Sequence, residues 1–160
     1  MDQTAGIEFL RHTLATLAYR GAKTLRDAPA GFAEFRAAET TRTPVQMLAH
    51  IGDLFDWAIS IADGQMKWYD SAPLPWPEEC DRFFRTLKQF DDRLASGVPL
   101  GMTVEKLFQG PVADAFTHFG QIAMLRRMAG APVRGESYFM ARIATGQVGP
   151  DQPAPRREFD

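Results

Sequence analysis

The sequence predicts an all-α fold, a four-helix bundle with a crossover connection and an extended C-terminal arm. Apolar residues recur every three or four positions in separate stretches, which is the spacing of one face of an α-helix. Proline and glycine mark the ends of these stretches, at positions that start and stop helices. A chain of 160 residues, 45% of them hydrophobic, is long enough to bury a substantial core. We therefore expect a single domain over residues 1–160.

The composition argues against several classes of function. The formal net charge is −2 and the basic residues are scattered, so no clustered positive face predicts binding to nucleic acid. No apolar run approaches the roughly 20 residues of a membrane span, and the N-terminus lacks the features of a signal peptide. The single cysteine, Cys80, suits a reducing compartment, and a cytoplasmic protein is expected. Cys80 falls on an apolar helix seam, where we expect a small core residue rather than a nucleophile.

The first helix is predicted over residues 4–20, and Gly21 is predicted to end it. Its apolar face carries Ile7, Leu10, Leu14 and Leu17. Residues 21–43 show no sustained period and are longer than an ordinary link between helices. They are predicted to form a crossover connection or strap across the end of the bundle, pinned to the core by Phe32 and Phe35.

The second helix has a clear start signal. Thr43 stands at the N-cap, Pro44 at the first helical position and Gln46 at the third, which is a capping box. The helix is predicted to run to about Asp63. His50 lies at the shoulder of its wide apolar surface, where the ring can face the interior. Taken alone, His50 is expected to be half-buried and bonded to a backbone carbonyl or to water.

The face of this helix opposite its apolar surface carries Asp53 and Asp56 and is predicted to be solvated. Residues 64–76 then form a loop rich in proline and aromatic residues. Such an aromatic cluster beside the mouth of a bundle either lines a pocket or covers the end of the core. We expect the second role.

The third helix is predicted to begin at Pro77 and to end before Gly97. Its apolar seam repeats as Cys80, Phe83, Leu87, Phe90 and Leu94. Thr103 is expected to cap a short helix, after which Pro111 either starts a new helix or kinks a continuous one. If a new helix starts at Pro111, its side chains reach His50 most easily when this helix runs parallel to the helix of His50. If the helix is continuous, an antiparallel arrangement also brings them together.

The last long helix is predicted to end at Gly130. Residues 136–143 are predicted to form a short amphipathic helix, in which Glu136 and Tyr138 are placed to close the mouth of the bundle. Residues 146–160 lack a helical period and are predicted to form an extended arm. This arm wraps either its own bundle or a second subunit.

A narrow polar strip crosses the last long helix, which is otherwise nearly all apolar. At about 100° per residue, Asp114, His118 and Gln121 fall on one line. A carboxylate and an imidazole on a buried helix need polar partners, because unpaired buried polar groups are costly. His50 is the best remaining candidate. We therefore predict that His50, Asp114 and His118 converge on a metal, the alternative being a buried hydrogen-bonded network of the same side chains.

These residues resemble those of the DinB/YfiT-like family of helical-bundle metalloenzymes. By position, His50 and His118 match metal-binding histidines of that family, whereas Asp114 stands where the family pattern has histidine. Two short pieces carry the resemblance, and the second is similar to the family pattern His-x-x-x-His-x-Gly-Gln: Thr43-Pro44…Leu48-Ala-His50-Ile and Asp114-Ala-Phe-Thr-His118-Phe-Gly120-Gln121-Ile.

The resemblance implies a divalent metal cofactor with an altered set of ligands. Two histidines and one carboxylate suit zinc, nickel or iron(II) and leave positions open for water or substrate. The resemblance further implies a small-molecule substrate or low-molecular-weight thiol, used by a transferase or isomerase. Gln121 would support His118 or face the substrate. The sequence alone identifies no catalytic residue. The alternative function is a non-catalytic helical bundle, and broad apolar surfaces predict a homodimer.

Overall fold

Helices dominate the structure. The computed structural model describes residues 3–159. Its helices are α1 (Gln3–Leu25), α2 (Pro44–Ala62), α3 (Trp76–Ala95), α4 (Val104–Leu107) and α5 (Ala113–Met128). The shorter elements are 3₁₀ turns at Phe32–Glu34 and Tyr138–Met140, a π-helical turn at Phe108–Val112, and the strands β1 (Gly135–Glu136) and β2 (Glu158–Phe159). The all-α prediction is confirmed, with a small two-stranded sheet that was not predicted.

The helices α1, α2, α3 and α5 bury their apolar faces in one hydrophobic core. At its centre, the ring of Phe55 lies 6.1 Å from that of Phe83 and 6.2 Å from that of Phe90, measured between centroids. Each such ring is fully buried, and burial of a large apolar side chain stabilises the fold by about 1.5–3 kcal/mol. Within residues 3–159, no helix combines the length and the hydropathy needed to cross a bilayer.

The first helix is longer than predicted, because Gly21 does not end it. α1 continues to Leu25. Gly21 lies instead where α1 meets α3 and α5, and a Cβ atom at this position would be 3.0 Å from ring atoms of Phe83 and of Phe119. A side chain at this position would push these rings apart by a few tenths of an ångström, so glycine permits the close approach of the helices. A glycine required for packing and a glycine that ends a helix look alike in a sequence.

The connection between α1 and α2 is pinned to the core by Phe32 and Phe35, as predicted. Phe32 is buried, and its ring packs edge to face on Trp76 with 5.6 Å between centroids. Phe35 packs against the same core from a partly exposed position. Two aromatic anchors therefore hold a connection that has little regular structure of its own.

The capping box at the start of α2 is confirmed. The Gln46 backbone N–H donates to the Thr43 hydroxyl oxygen at 3.3 Å, and the Thr43 backbone N–H donates to the Gln46 side chain at 2.9 Å. These two bonds satisfy N–H groups that the first turn of a helix leaves unpaired. They fix where α2 begins and hence which face His50 occupies.

A continuous helical path runs from α4 to α5, which decides between the two predictions for Pro111. α4 passes directly into the π-helical turn that contains Pro111, and this turn passes directly into α5. Proline has no N–H to close an α-helical hydrogen bond, and a wider turn accommodates this loss. Pro111 therefore widens a continuous helix locally instead of starting a new one.

This helical path is antiparallel to α2. His50 near the start of α2 contacts Asp114, and Trp57 further along lies beside Gly110. Just beyond, the Gly101 N–H donates to the carbonyl oxygen of Ala62, the last residue of α2, at 2.8 Å. Residue numbers therefore rise along α2 while they fall along its partner, and the first half of α2 faces the start of α5.

The segment after α5 does not form the short helix predicted over residues 136–143. It contributes β1, which pairs antiparallel with β2, and a 3₁₀ turn follows. Lys23 of α1 donates to Glu136 at 2.7 Å and to Glu158 at 2.8 Å. The carboxylate of Glu136 is buried and needs such partners, so strand pairing prevails over the weak helical period. The arm predicted over residues 146–160 thus returns to its own chain, and its last residue lies outside the described residues.

Candidate metal centre

The three side chains predicted to converge lie together between α2 and α5. His50 Nε2 is 3.4 Å from Asp114 Oδ2, and His118 Nε2 is 3.5 Å from Asp114 Oδ1. The two imidazole rings meet edge to face, with 4.8 Å between their centroids. One candidate ligand atom from each residue lies within 4.8 Å of the other two. The group is therefore close enough to hold a metal ion.

The local sequence explains how Asp114 and His118 reach this position. They are four residues apart near the start of α5, so their side chains lie on one face of the helix. The preceding π-helical turn holds an extra residue, which rotates every later side chain by about 100° relative to α4. Because α2 is antiparallel, His50 then meets this pair from the opposite helix.

The distances are compatible with ligands of one metal ion. An N–H···O bond typically spans about 2.9–3.0 Å, so both His–Asp contacts are long for such a bond. A zinc ion with bonds of about 2.0–2.2 Å holds neighbouring tetrahedral ligand atoms about 3.3–3.6 Å apart. The donor set also fits, since two imidazoles and a carboxylate are ligands that zinc, nickel and iron(II) accept.

The surroundings of the group are more open than the prediction of a buried helix implies. The Asp114 side chain is 46% exposed, whereas those of His50 and His118 are 20% and 15% exposed. Further along α5, Met124 and Met128 are also more than half exposed, at 56% and 55%. A carboxylate that reaches solvent needs no buried partner. The exposure therefore counts against the alternative of a buried polar network.

Gln121 contacts the far side of the His118 ring. His118 Nδ1 lies 2.8 Å from Gln121 Oε1. With the amide oxygen placed there, Nδ1 carries the proton and donates it, which leaves the lone pair of Nε2 facing the group. Metal-binding histidines usually have such a partner on their second ring nitrogen. The contact favours the supporting role among the two predicted for Gln121.

We expect Gln121→Ala to weaken zinc binding by about 10–100-fold, because the His118 ring loses the bond that orients it and sets its tautomer. Competition with a chromophoric chelator would measure the affinity. Gln89→Ala is the matched control, because Gln89 is exposed on α3, and it should leave the affinity unchanged. Equal affinities in the two variants would contradict the supporting role.

The loop between α2 and α3 contributes an aromatic wall to the site. The ring of Trp68 packs against His50 with 5.5 Å between centroids and against Trp57 with 5.7 Å. Trp76, at the other end of the same loop, covers the core by packing on Phe32. The expected role of covering the core thus holds for one end of the loop, and the other end borders His50.

A buried ionic cluster that sequence reasoning missed holds this loop in place. Arg82 of α3 donates to Asp53 of α2 at 2.5 Å. The second oxygen of Asp53 accepts the Ser71 backbone N–H at 3.0 Å. Glu79, on the same helix as Arg82, accepts the Leu74 backbone N–H at 2.9 Å. Two carboxylates on the packed helices therefore anchor the loop that carries Trp68.

The prediction of a solvated face on α2 is wrong for Asp53. Its exposed fraction is 4%, whereas the neighbouring Asp56 side chain is 45% exposed. Arg82 accounts for the difference, because its guanidinium lies against Gly52 and covers Asp53. A Cβ atom at position 52 would lie 2.9 Å from Cζ of Arg82. The pairing joins residues 29 positions apart, so the period of either helix alone gives no signal of it.

Glu136 and Tyr138, which were predicted to close the mouth of the bundle, contact α1. The buried carboxylate of Glu136 accepts hydrogen bonds from the Tyr19 hydroxyl and from Lys23. Tyr138 packs edge on to Tyr19 and lies under the Arg20 guanidinium, 4.2 Å from its ring centroid. Burial, together with the neighbouring Glu136, raises the pKa of Tyr19. These residues therefore tie the C-terminal segment to α1.

Cys80 has the role predicted for it. Cys80 is partly buried against the core, and this burial raises the pKa of its thiol to about 12. The thiol is therefore protonated at neutral pH and is a poor nucleophile. His12 is exposed on α1.

Fold and site together define a helical protein whose two histidines and one aspartate are close enough to hold a metal ion. Comparison of the chain with family models, with curated proteins and with solved structures gave no match. The resemblance to the DinB/YfiT-like family therefore depends on the two sequence motifs and stays a prediction.

Proposed function

We propose that this chain is a divalent-metal-dependent protein of the DinB/YfiT-like kind, built on a four-helix bundle with a crossover connection. The observation that carries the proposal is the convergence of His50 with Asp114 and His118 across 64 positions of sequence. The shared core of α1, α2, α3 and α5 supports the bundle. The contact between Gln121 and His118 supports a metal-binding tautomer of that histidine.

The reaction we propose is a transfer or isomerisation on a small molecule, with a low-molecular-weight thiol as co-substrate. A divalent cation bound at such a site lowers the pKa of a coordinated thiol or water. Two neutral imidazoles, His50 and His118, and the Asp114 carboxylate would hold the cation and leave a single net positive charge on the site. The chain's only cysteine, Cys80, is kept protonated by its surroundings. A nucleophilic thiolate therefore has to come from the small molecule.

The second candidate is a non-catalytic dimeric bundle in which the three side chains form a polar network. The exposure of Asp114 counts against it. A homodimer is compatible with both candidates and is part of the proposal, because large apolar side chains such as Phe9 and Phe139 are 61% and 96% exposed.

Metal content tests the proposal. Protein supplied with zinc, nickel or iron(II) and then desalted is expected to retain about one equivalent, which His50→Ala and His118→Ala lose. His12→Ala is the matched control, because His12 is the chain's third histidine and is exposed on α1. Less than about a tenth of an equivalent in the parent protein would overturn the proposal. With metal retained, small thiols and electrophiles would be screened for a turnover that His118→Ala abolishes.

A further inference from the structure

An open cleft of 360 Å³ lies beside Asp114, one of the three candidate ligands. Leu54 and Trp57 of α2 form one wall, Gln109, Gly110 and Thr117 form the other, and Asp114 also lines it. The volume falls within the range of about 300–1,000 Å³ that is usual for small-molecule sites. Since Asp114 belongs to both, a molecule bound at the metal centre can extend directly into the cleft.

We propose that this cleft binds an uncharged, flat apolar group of the molecule that coordinates the metal. The inference rests on the proposed function, because it places the coordinating end of that molecule at His50, Asp114 and His118. It adds the chemical class of the remainder, which is an aromatic or similarly flat apolar arm.

The lining of the cleft favours an uncharged group. Apart from Asp114, which the proposal assigns to the metal, none of its lining side chains is charged. The Thr117 hydroxyl already donates a hydrogen bond to the Ala113 carbonyl oxygen at 3.1 Å. The partly exposed indole of Trp57 supplies the apolar surface, since Leu54 behind it is only 3% exposed. A charged group entering here would lose hydration without gaining an ionic partner, whereas an apolar group loses nothing.

Gly110 keeps the indole of Trp57 accessible. A Cβ atom at position 110 would lie 3.7 Å from Cζ3 and 3.9 Å from Cη2 of Trp57, so a larger side chain would cover that ring. The backbone does not require glycine here, because Gly110 is not among the residues with positive φ. Glycine inside a helix costs about 1 kcal/mol relative to alanine. Because it has no side chain, Gly110 leaves the Trp57 indole uncovered, which offsets this cost if the indole binds a ligand.

A second open cavity, beside His50, suits a different kind of group. This cavity, of 230 Å³, is reached from His50 and is lined by charged side chains of both signs, Arg42, Asp53 and Asp70. An apolar arm placed there would displace water from charged groups. On the other side, the ring of Trp68 packs edge to face on the indole of Trp57 and fixes its orientation. A flat ring of the ligand can then stack on the indole of Trp57.

Two hydroxamates that chelate a metal through the same atoms test the cleft. Acetohydroxamate carries a methyl group and benzohydroxamate a phenyl group. Titrated into zinc-loaded protein by calorimetry, benzohydroxamate is expected to bind about tenfold more tightly, because its ring is buried against Trp57. Gly110→Val, which fills the cleft, should abolish this preference while zinc content and acetohydroxamate affinity stay the same. Gly120→Val is the matched control, because a Cβ at position 120 meets nothing within 4 Å, and it should keep the preference.

A second measurement needs no metal. In the apoprotein, benzamide should shift the indole N–H resonance of Trp57, assigned by loss of the signal in Trp57→Phe, and Gly110→Val should remove the shift. If zinc is retained but the phenyl preference is missing or survives Gly110→Val, the cleft proposal is overturned and the metal proposal stands. If zinc is not retained, the proposed function fails. The benzamide shift then decides the cleft alone, its presence supporting an apolar subsite and its absence overturning one.

Discussion

Replacing Arg82 by methionine is expected to lower the free energy of unfolding by about 3–5 kcal/mol. The substitution leaves the carboxylates of Asp53 and Glu79 buried, at 4% and 0% exposure, without the guanidinium that neutralises them. Glu79 Oε2 has no hydrogen-bond partner within the described residues, and Arg82 Nη1 at 3.6 Å is its ion-pair partner. Urea unfolding followed by circular dichroism would measure the loss.

Lys88→Met is the matched control for Arg82→Met, because it removes a cation from the same helix. Lys88 pairs with Asp92 on the surface, where the two side chains are 62% and 61% exposed, and its loss should cost less than about 0.5 kcal/mol. Adding Asp53→Asn to Arg82→Met should restore part of the stability, since it removes an uncompensated buried charge. A loss from Arg82→Met no larger than that of Lys88→Met would contradict the expectation.

The cluster around Arg82 also couples stability to the site. Asp53 and Glu79 anchor the backbone of the loop at Ser71 and Leu74, and the same loop places Trp68 against His50. Without Arg82, we expect these carboxylates to turn towards solvent and their bonds to the loop to weaken. The Trp68 ring should then be held less firmly beside the candidate metal centre.

Local signals in the sequence were enough for the elements that local interactions decide. The capping box of Thr43 and Gln46 involves residues three apart, so its bonds follow from the sequence alone. Gly21 carries the same stop signal as Gly130, yet only Gly130 ends a helix, with φ of 78°. The contacts of Gly21 with Phe83 and Phe119 decide the difference, and they join distant parts of the chain.

The candidate ligands were predictable for a similar reason. Asp114 and His118 form a pair four residues apart on one helix face, and few histidines were left to complete the group. Their relation to α2 was not predictable, because Pro111 signals a disturbance without specifying its kind. A π-helical turn, a kink and a new start place the later side chains differently, and the structure has the π-helical turn, with this pair beside His50.

Substitutions of Asp114 are expected to change the affinity for zinc more than any substitution outside the three candidate ligands. Asp114→Ala should weaken zinc binding by more than about 100-fold, since losing a ligand costs more than losing an outer partner of one. Asp114→His should keep about one equivalent of zinc, because three histidines form an established zinc site. Asp92→Ala, which removes an exposed carboxylate from α3, should bind zinc as the parent protein does.

Thermal unfolding with and without zinc measures these differences independently of any reaction. A metal that binds only the folded state stabilises it by about 2.7 kcal/mol at 100 times its dissociation constant. The parent protein, Asp114→His and Asp92→Ala should show this stabilisation, and Asp114→Ala should show none at the same zinc concentration. Stabilisation of Asp114→Ala equal to that of the parent would mean that the carboxylate is no ligand and that His50 and His118 alone bind the ion. Asp114 would then lie beside the metal without coordinating it.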